Sequence, residues 1–540
     1  MNEMRVIGID LGTTRTKVTY FNIKSQKVEQ IEFENSSKYV ESIVNFDPNG
    51  KIFVGNDPNP TNKIKIEGVK RIIGQKYSDD RIDEICESLK LKARADENDE
   101  IIIQVDINKR TVEFTPIEIS AMILSKIRVV LERKLHTKNI KEYDTIITVP
   151  ARFSDAQKEA TKTAGQVAGF NVLQIITEPI SATYACGIEI VDGDYFTFDL
   201  GGGTLDTTIF RKENDETKVL AVYGDLFLGG MDFDENVFHL LKLKISEEDE
   251  ELASQFEIED DDSPKVKKLK TKKIEKLKKC AEDVKIQLSK EDLVELNLYE
   301  IQNVPVDEGL CVLITRDEFD EVNEEIYSKC ERIIKDTFSR IKKGGRPVRP
   351  STIKKCILIG GSCHIPQIKQ LLTNIFGDKL TNDGNDCDYI VSQGPCIYYQ
   401  NQFVNEKSVT QMRNIIQDVV PYNISIRSVD EKNNEFNAVI VKQDTQIPLQ
   451  RSFEAEVGYG RAYVDIYEND RMLGSFMIND IREKFIPMTL KISLAYELTI
   501  EGHLSNQEIR KAYNTTRKNT DRADIERMKQ KLLPYVNQLN

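Results

Sequence analysis

No run of about 18 apolar residues occurs in the chain, so no membrane-spanning helix is expected. The opening residues, MNEMRVIGID, lack the long apolar stretch of a secretory signal. The last residues, PYVNQLN, carry no retention or lipidation motif. The expected compartment is therefore cytoplasmic. Paired cysteines are also missing. The nine cysteines are scattered singly, with no zinc-type CxxC spacing, and an odd number does not suit a disulfide framework. Buried free thiols in a reducing compartment are the expectation. An excess of positive charge is absent too. With 75 basic against 89 acidic residues the net charge is −14, which argues against general nucleic-acid binding.

What is present suits a soluble protein of several domains. The 540 residues suggest three or four domains at roughly 150 residues each. Apolar residues make up 39%, enough for real cores. Residues 4–23 alternate as a hairpin around LGTT, and Tyr195–Arg211 repeats that theme around DLGGGT. This duplication predicts two similar α/β lobes facing each other across a cleft. Helical spacing runs from Pro116 to about Leu135, and another helix is expected from Ser154 to about Ala168. The acidic stretch Ser246–Pro264 reads as a solvated loop, and a lysine-rich helix follows it. A single helix is expected near Arg316–Ile341. Ile357–Ser362 reads as a buried strand entering a Gly-Gly turn. From Pro421 to about Ile500 short strands predict a β-sandwich or small barrel, and the last stretch reads as helix.

The glycine turns carry the chemistry. Small residues let backbone N–H groups approach phosphate oxygens. In GIDLGTT, Gly12 frees the turn, Thr13 and Thr14 add hydroxyl donors, and Asp10 can hold a hydrated magnesium ion. In DLGGGTLD, Asp199 can serve the same ion. Gly201, Gly202, Gly203 and Thr204 suit phosphate, and Asp206 adds a carboxylate. A third turn, Gly360-Gly361-Ser362, follows an apolar strand and would let backbone lie against a nucleoside. One such hairpin alone also fits an ordinary tight turn. Three, each leaving a strand, point to ATP.

The surrounding text resembles the 70-kDa heat-shock chaperone family from about residue 4 to 400, and more weakly to about 510. The resemblance rests on GIDLGTT, KRIIGQKY at Lys70–Tyr77, EISAMILSKI at Glu118–Ile127, and VPARFSDAQKEATKTAGQVAGFNVLQIITEP at Val149–Pro179. FDLGGGTLD, GDLFLGGMDFD at Gly224–Asp234 and LIGGSCHIPQI at Leu358–Ile368 follow in order. It implies an α/β actin-like, two-lobed ATPase domain at 1–405 and an interdomain linker at 406–420. A small all-β sandwich at 421–504 would bind substrate, and 505–540 would be a short helical tail. The implied activity is that of an ATP-dependent chaperone using ATP/ADP and Mg²⁺. Its implied partners are unfolded or extended polypeptides, a J-domain co-chaperone and a nucleotide-exchange factor.

By the same resemblance, Asp10, Glu178, Asp199 and Asp206 would surround magnesium and the attacking water. Lys70 would neutralise charge on the γ-phosphate, and Thr204 would help place the water. Glu282, Lys285 and Ser289 fall where the family holds ribose and base. Gly360, Gly361, Ser362 and Asp388 would complete the adenosine pocket. Read without the family, Lys70 also fits a solvated lysine, Glu178 a loop residue, and Glu282 with Lys285 a helix-surface ion pair.

Several positions depart from the family's pattern. Ile286 and His364 replace the two arginines that sandwich adenine. Each cation–π contact is worth roughly 0.5–2 kcal/mol, so ATP affinity about tenfold weaker is expected. Calorimetric titration checks this, and tight, adenine-selective binding would contradict it. Where co-chaperones dock, Arg152 stands for a tyrosine, and Gln174 and Lys158 for arginines. Where the family's linker carries an unbroken leucine run before Asp-Val, this chain reads Ile415, Ile416, Gln417, Asp418, Val419. In the β-rich part, Ile447-Pro448 matches a family turn. Tyr463 takes a small aliphatic position, a strand is expected to be missing after Leu498, and the long lid is almost absent. A diverged relative acting as a holdase or regulatory partner is therefore a second reading. A small-molecule kinase conflicts with the β-rich tail.

Overall fold

The structure, a computed structural model, describes residues 4–539 apart from short segments, of which the longest are 56–63, 135–143, 187–191, 342–347, 382–386, 401–415 and 515–521. Both glycine turns close antiparallel hairpins. Met4–Leu11 pairs with Arg15–Asn22, and Gly193–Leu200 with Leu205–Glu213. β-branched and aromatic residues favour the extended arms, and small residues allow the reversal. Each hairpin gains a third antiparallel strand, Lys27–Gln30 in one and Glu216–Asp225 in the other. On its opposite side each gains two parallel strands: Asp144–Val149 and Asn171–Thr177, or Ile353–Ile359 and Leu380–Thr381. Five strands of each six-stranded sheet thus share one order and one set of directions, as the repeated hairpin predicts; the sixth differs, Val40–Glu41 lying antiparallel to Arg15–Asn22 and Ile416–Gln417 parallel to Glu216–Asp225.

Parallel neighbours need a crossover, and helices supply it. Asp155–Val167 joins Asp144–Val149 to Asn171–Thr177. Its start is fixed by a capping box in which Ser154 and Gln157 satisfy each other's backbone N–H. Pro116–Lys134 matches its expected span and buries most of its length. Ile7, Ile9, Phe114, Met122 and Leu131 share the first sheet's core, and Phe196, Phe198, Phe233, Leu277 and Val284 share the second's.

Four expectations need correction. The acidic stretch 246–264 is helical in its first half, because Gly230–Glu248 runs into it and Glu250–Ser254 follows, capped by Asp249; residues 255–263 are turn and loop, as expected. Leu252 and Phe256 anchor that turn in the second core. The single helix near 316–341 is two, Arg316–Val322 and Glu324–Ser339, parted at the buried Asn323. No strand is missing after Leu498: Glu497–Leu504 pairs with Gln507–Asn514 over eight rungs. The tail read as helix from residue 505 therefore begins as a strand, and its one described α-helix is Arg522–Val536.

The β-rich part forms two four-stranded sheets around a common core that includes Ile426, Val464, Ile466, Ile486, Leu490 and Ile500. Of the linker, Ile416–Gln417 lies on the edge of the second sheet, parallel to Glu216–Asp225. Ile415, Asp418 and Val419 fall outside the described residues, as do Ile447 and Pro448. Cys280 is half-buried and Cys311 exposed. The other cysteines are buried, and all nine are free thiols.

Candidate functional site

The turns of both sheets open onto one cavity of about 590 Å³. Every residue that the sequence assigns to the nucleotide site lines it, except Gly203 and Asp206. Gly202 packs directly on Thr14, and a Cβ there would come within 2.3 Å of its hydroxyl oxygen. The two phosphate turns thus meet, and only glycine permits the approach. Gly360 has a φ of +85°, a conformation that favours glycine, as the chain turns away from its strand.

At the phosphate end Lys70 is buried, and its Nζ donates to Glu178 Oε1 at 2.8 Å. Burial opposes the lysine's charge, but Glu178 and Asp10 outweigh it and raise the pKa. Lys70 is therefore a fixed cation rather than a solvated side chain. Glu178 opens a helix at the end of Asn171–Thr177, which aims it into the cavity. Three carboxyls nearby are driven toward their neutral forms. Burial lifts Asp10 to about 6 against the opposing pull of Lys17. Burial lifts Asp206 to about 7, although Arg152 lowers it. Asp199 is raised well above the carboxylate range by burial first, then by Glu178 and Asp206.

These groups suit a cation. Asp199 Oδ2 and both carboxylate oxygens of Asp206 are buried without a hydrogen-bond partner. Among the described residues no three His, Cys, Asp or Glu side chains converge as a metal cage. That donor set fits magnesium, which binds through one or two carboxylates together with water and phosphate. Asp10 and Asp199 would hold it.

At the other end, Glu282 and Lys285 are not each other's partners. Arg15 meets Glu282 at 2.7 Å, and Lys285 meets Asp234 at 2.6 Å. Ser289 caps the same helix, Pro264–Leu288. Ile286 and His364 both line the cavity, and His364 Nε2 lies 3.2 Å from Cys387 Sγ. Lys17 pairs with Asp388 at 3.3 Å.

Arg15, Lys17 and Arg71 escaped sequence reasoning. Arg71 donates to the Gly203 carbonyl at 2.9 Å, tying the second phosphate turn to the segment that carries Lys70. Their partners lie more than a hundred residues away, so no local pattern announces them. Arg152 turns inward and donates to the Gly224 carbonyl. Gln174 accepts from the Tyr398 hydroxyl at 3.1 Å.

Comparison with family models matches residues 6–536 to the Hsp70 protein family. The chain belongs to the Hsp70 family. Hsp70 proteins are nucleotide-binding chaperones and ATPases that typically bind ATP or ADP with Mg²⁺ and generally bind unfolded polypeptide and co-chaperones. Among the described residues no helix is long and apolar enough to cross a membrane.

The raised carboxyls of this Hsp70 chain set a pH dependence. A raised folded-state pKa favours the protonated fold at low pH, and that contribution is lost as pH rises through about 6 for Asp10 and about 7 for Asp206. A cation requires the ionised forms. Mg-ATP affinity should therefore rise between pH 6 and 7, with protons released on binding. Calorimetry in buffers of different ionisation enthalpy checks the sign.

Proposed function

We propose that this chain is an ATP-dependent chaperone that binds and slowly hydrolyses Mg-ATP in the cavity, and so controls binding of unfolded or extended polypeptide. The observation that carries this reading is the buried Lys70–Glu178 pair at 2.8 Å, set beside Asp10 and Asp199 where the two phosphate turns meet. We take the two sheets with their helices as the lobes of an actin-like ATPase domain.

In this reading Gly12, Thr13 and Thr14 face Gly201, Gly202 and Thr204 across the phosphates, offering N–H and hydroxyl donors. Lys70 meets charge developing on the transferred phosphoryl group, the role that electrostatics plays in most phosphoryl transfer. Glu178 accepts from Lys70 and keeps it oriented. Thr204 orients the attacking water, with Asp206 behind it. Magnesium, when bound, neutralises charge on the phosphate oxygens. Glu282, Lys285 and Ser289 address the ribose, while Gly360, Gly361, Ser362 and Asp388 border the base.

The polypeptide half of the reading rests on the sandwich. Along Gly460–Glu468, Ala462, Val464 and Ile466 point into the core. Tyr463 points out at 57% exposure, opposite Met477 at 45%. An extended apolar segment could cover those side chains.

The altered adenine pocket and the inward-turned Arg152 favour the second reading, a holdase or regulatory relative with little coupled peptide cycling. Release of a fluorescent peptide separates the two. If ATP speeds release relative to ADP, and peptide plus a J-domain protein stimulates turnover, the first reading stands. Nucleotide binding with no change in either rate supports the second.

A further inference from the structure

Lys17 stands opposite Asp10 in the register of the first hairpin, Met4–Leu11 against Arg15–Asn22. Directly paired residues of an antiparallel ladder share one face of the sheet, so the two side chains leave it on the same side. Gly8 and Thr19, the next pair on that face, pack against the helix Ile390–Tyr399. Thr19 donates its hydroxyl to the Ser392 carbonyl, and a Cβ at Gly8 would come within 2.4 Å of the same oxygen. The residues just before that helix meet Lys17. Its Nζ donates to Asp388 Oδ1 at 3.3 Å and lies 5.5 Å from the centre of the Tyr389 ring.

The Lys17 side chain is only 10% exposed, and it lines the same cavity as Asp10, Thr13 and Thr14. Burying a charge is costly unless it is balanced and its hydrogen bonds are made. An ammonium carries three donors and no acceptor. Among the described residues Asp388 is its one hydrogen-bond acceptor, at a distance long for a charged pair. Neighbouring cations are spent more fully. Lys70 meets Glu178 at 2.8 Å and Arg15 meets Glu282 at 2.7 Å, while Lys285 reaches both Asp234 and the Gly230 carbonyl. Lys17 thus has donors left for an anion, and it rises into the cavity three residues after the Gly12–Thr14 turn.

On the reading that this cavity takes a nucleotide, we propose that Lys17 binds the nucleotide's phosphates and supplies there part of the positive charge that magnesium otherwise brings. The chain then binds ADP and ATP without the metal, while hydrolysis keeps its need for magnesium. Two effects act together at the Asp10 end. The Lys17 ammonium attracts phosphate, and it repels a divalent cation held by the carboxylate across the hairpin. Magnesium should therefore add less to nucleotide affinity here than it would with an uncharged side chain at position 17.

Calorimetric titration of the full chain with ADP and with adenosine, in EDTA and in excess magnesium, tests this. The wild type should bind ADP in EDTA. Lys17→Met should weaken that binding by about 10–100-fold, the worth of a charged hydrogen bond. With magnesium the loss should be smaller, because the ion then shares the phosphate charge. Adenosine has no phosphate, and its affinity should be the same in both proteins, which a merely structural role for Lys17 would not give. Lys17→Arg keeps the charge and should keep most of the ADP binding in EDTA. Wild type that binds ADP only with magnesium overturns the proposal. So does a loss in Lys17→Met that is absent, equal with and without the metal, or shared by adenosine. Should Lys17→Met not fold, Lys17→Gln is read in its place, with the same expected pattern. Wild type that binds no ADP even with magnesium would instead overturn the nucleotide reading on which the proposal rests.

Discussion

Lys70→Met is expected to lower single-turnover ATP hydrolysis by about 10²–10³-fold while Mg-ATP still binds. Of the other cations that line the cavity, Arg15, Lys17 and Lys285 are each committed to a carboxylate. The variant should also lose stability. Glu178 is only 6% exposed, and removing its cation leaves a buried charge unbalanced. Breaking such a pair typically costs about 3–5 kcal/mol. The double variant Lys70→Met with Glu178→Gln removes both charges and keeps the shapes. It should recover most of the stability and none of the turnover, a non-additivity that thermal unfolding and rapid quench read separately. If the double variant stays as unstable as the single one, Lys70 and Glu178 are not a self-contained pair.

Asp199→Asn should do the opposite to stability. Burial and its acidic neighbours already disfavour the Asp199 carboxylate, and Oδ2 has no hydrogen-bond partner. A neutral amide of the same shape removes that penalty, so the nucleotide-free protein should melt no lower than the wild type. Magnesium-dependent turnover should still fall by about 10–100-fold, because a carboxylate that orders the ion's hydration shell is gone. Active sites commonly hold groups that function needs and folding does not. Loss of stability together with loss of activity would show that Asp199 is structural.

The meeting of the two glycine turns at one cavity was legible in the sequence because each turn is a local pattern. A turn of small residues between two apolar strands is written in consecutive letters, and so is the aspartate that precedes it. The pairs that close the cavity are not. Nothing near Arg15 announces Glu282, and nothing near Arg71 announces the Gly203 carbonyl. The strand Gln507–Asn514 illustrates a different limit. QEIRKAYN is made largely of helix-tolerant residues, yet eight rungs of pairing with Glu497–Leu504 hold it extended. In the acidic stretch, charge density masked a helix start. Asp249 as a cap and Leu252 as an anchor were the readable signals.

Rapid-quench analysis of one equivalent of ATP mixed with excess full-length chain tests the central claim most directly. The account predicts conversion to ADP and phosphate that requires Mg²⁺ and is slowed about 10²–10³-fold in Lys70→Met. Wild-type protein that leaves bound ATP intact, or hydrolysis that persists unchanged in Lys70→Met, would contradict it.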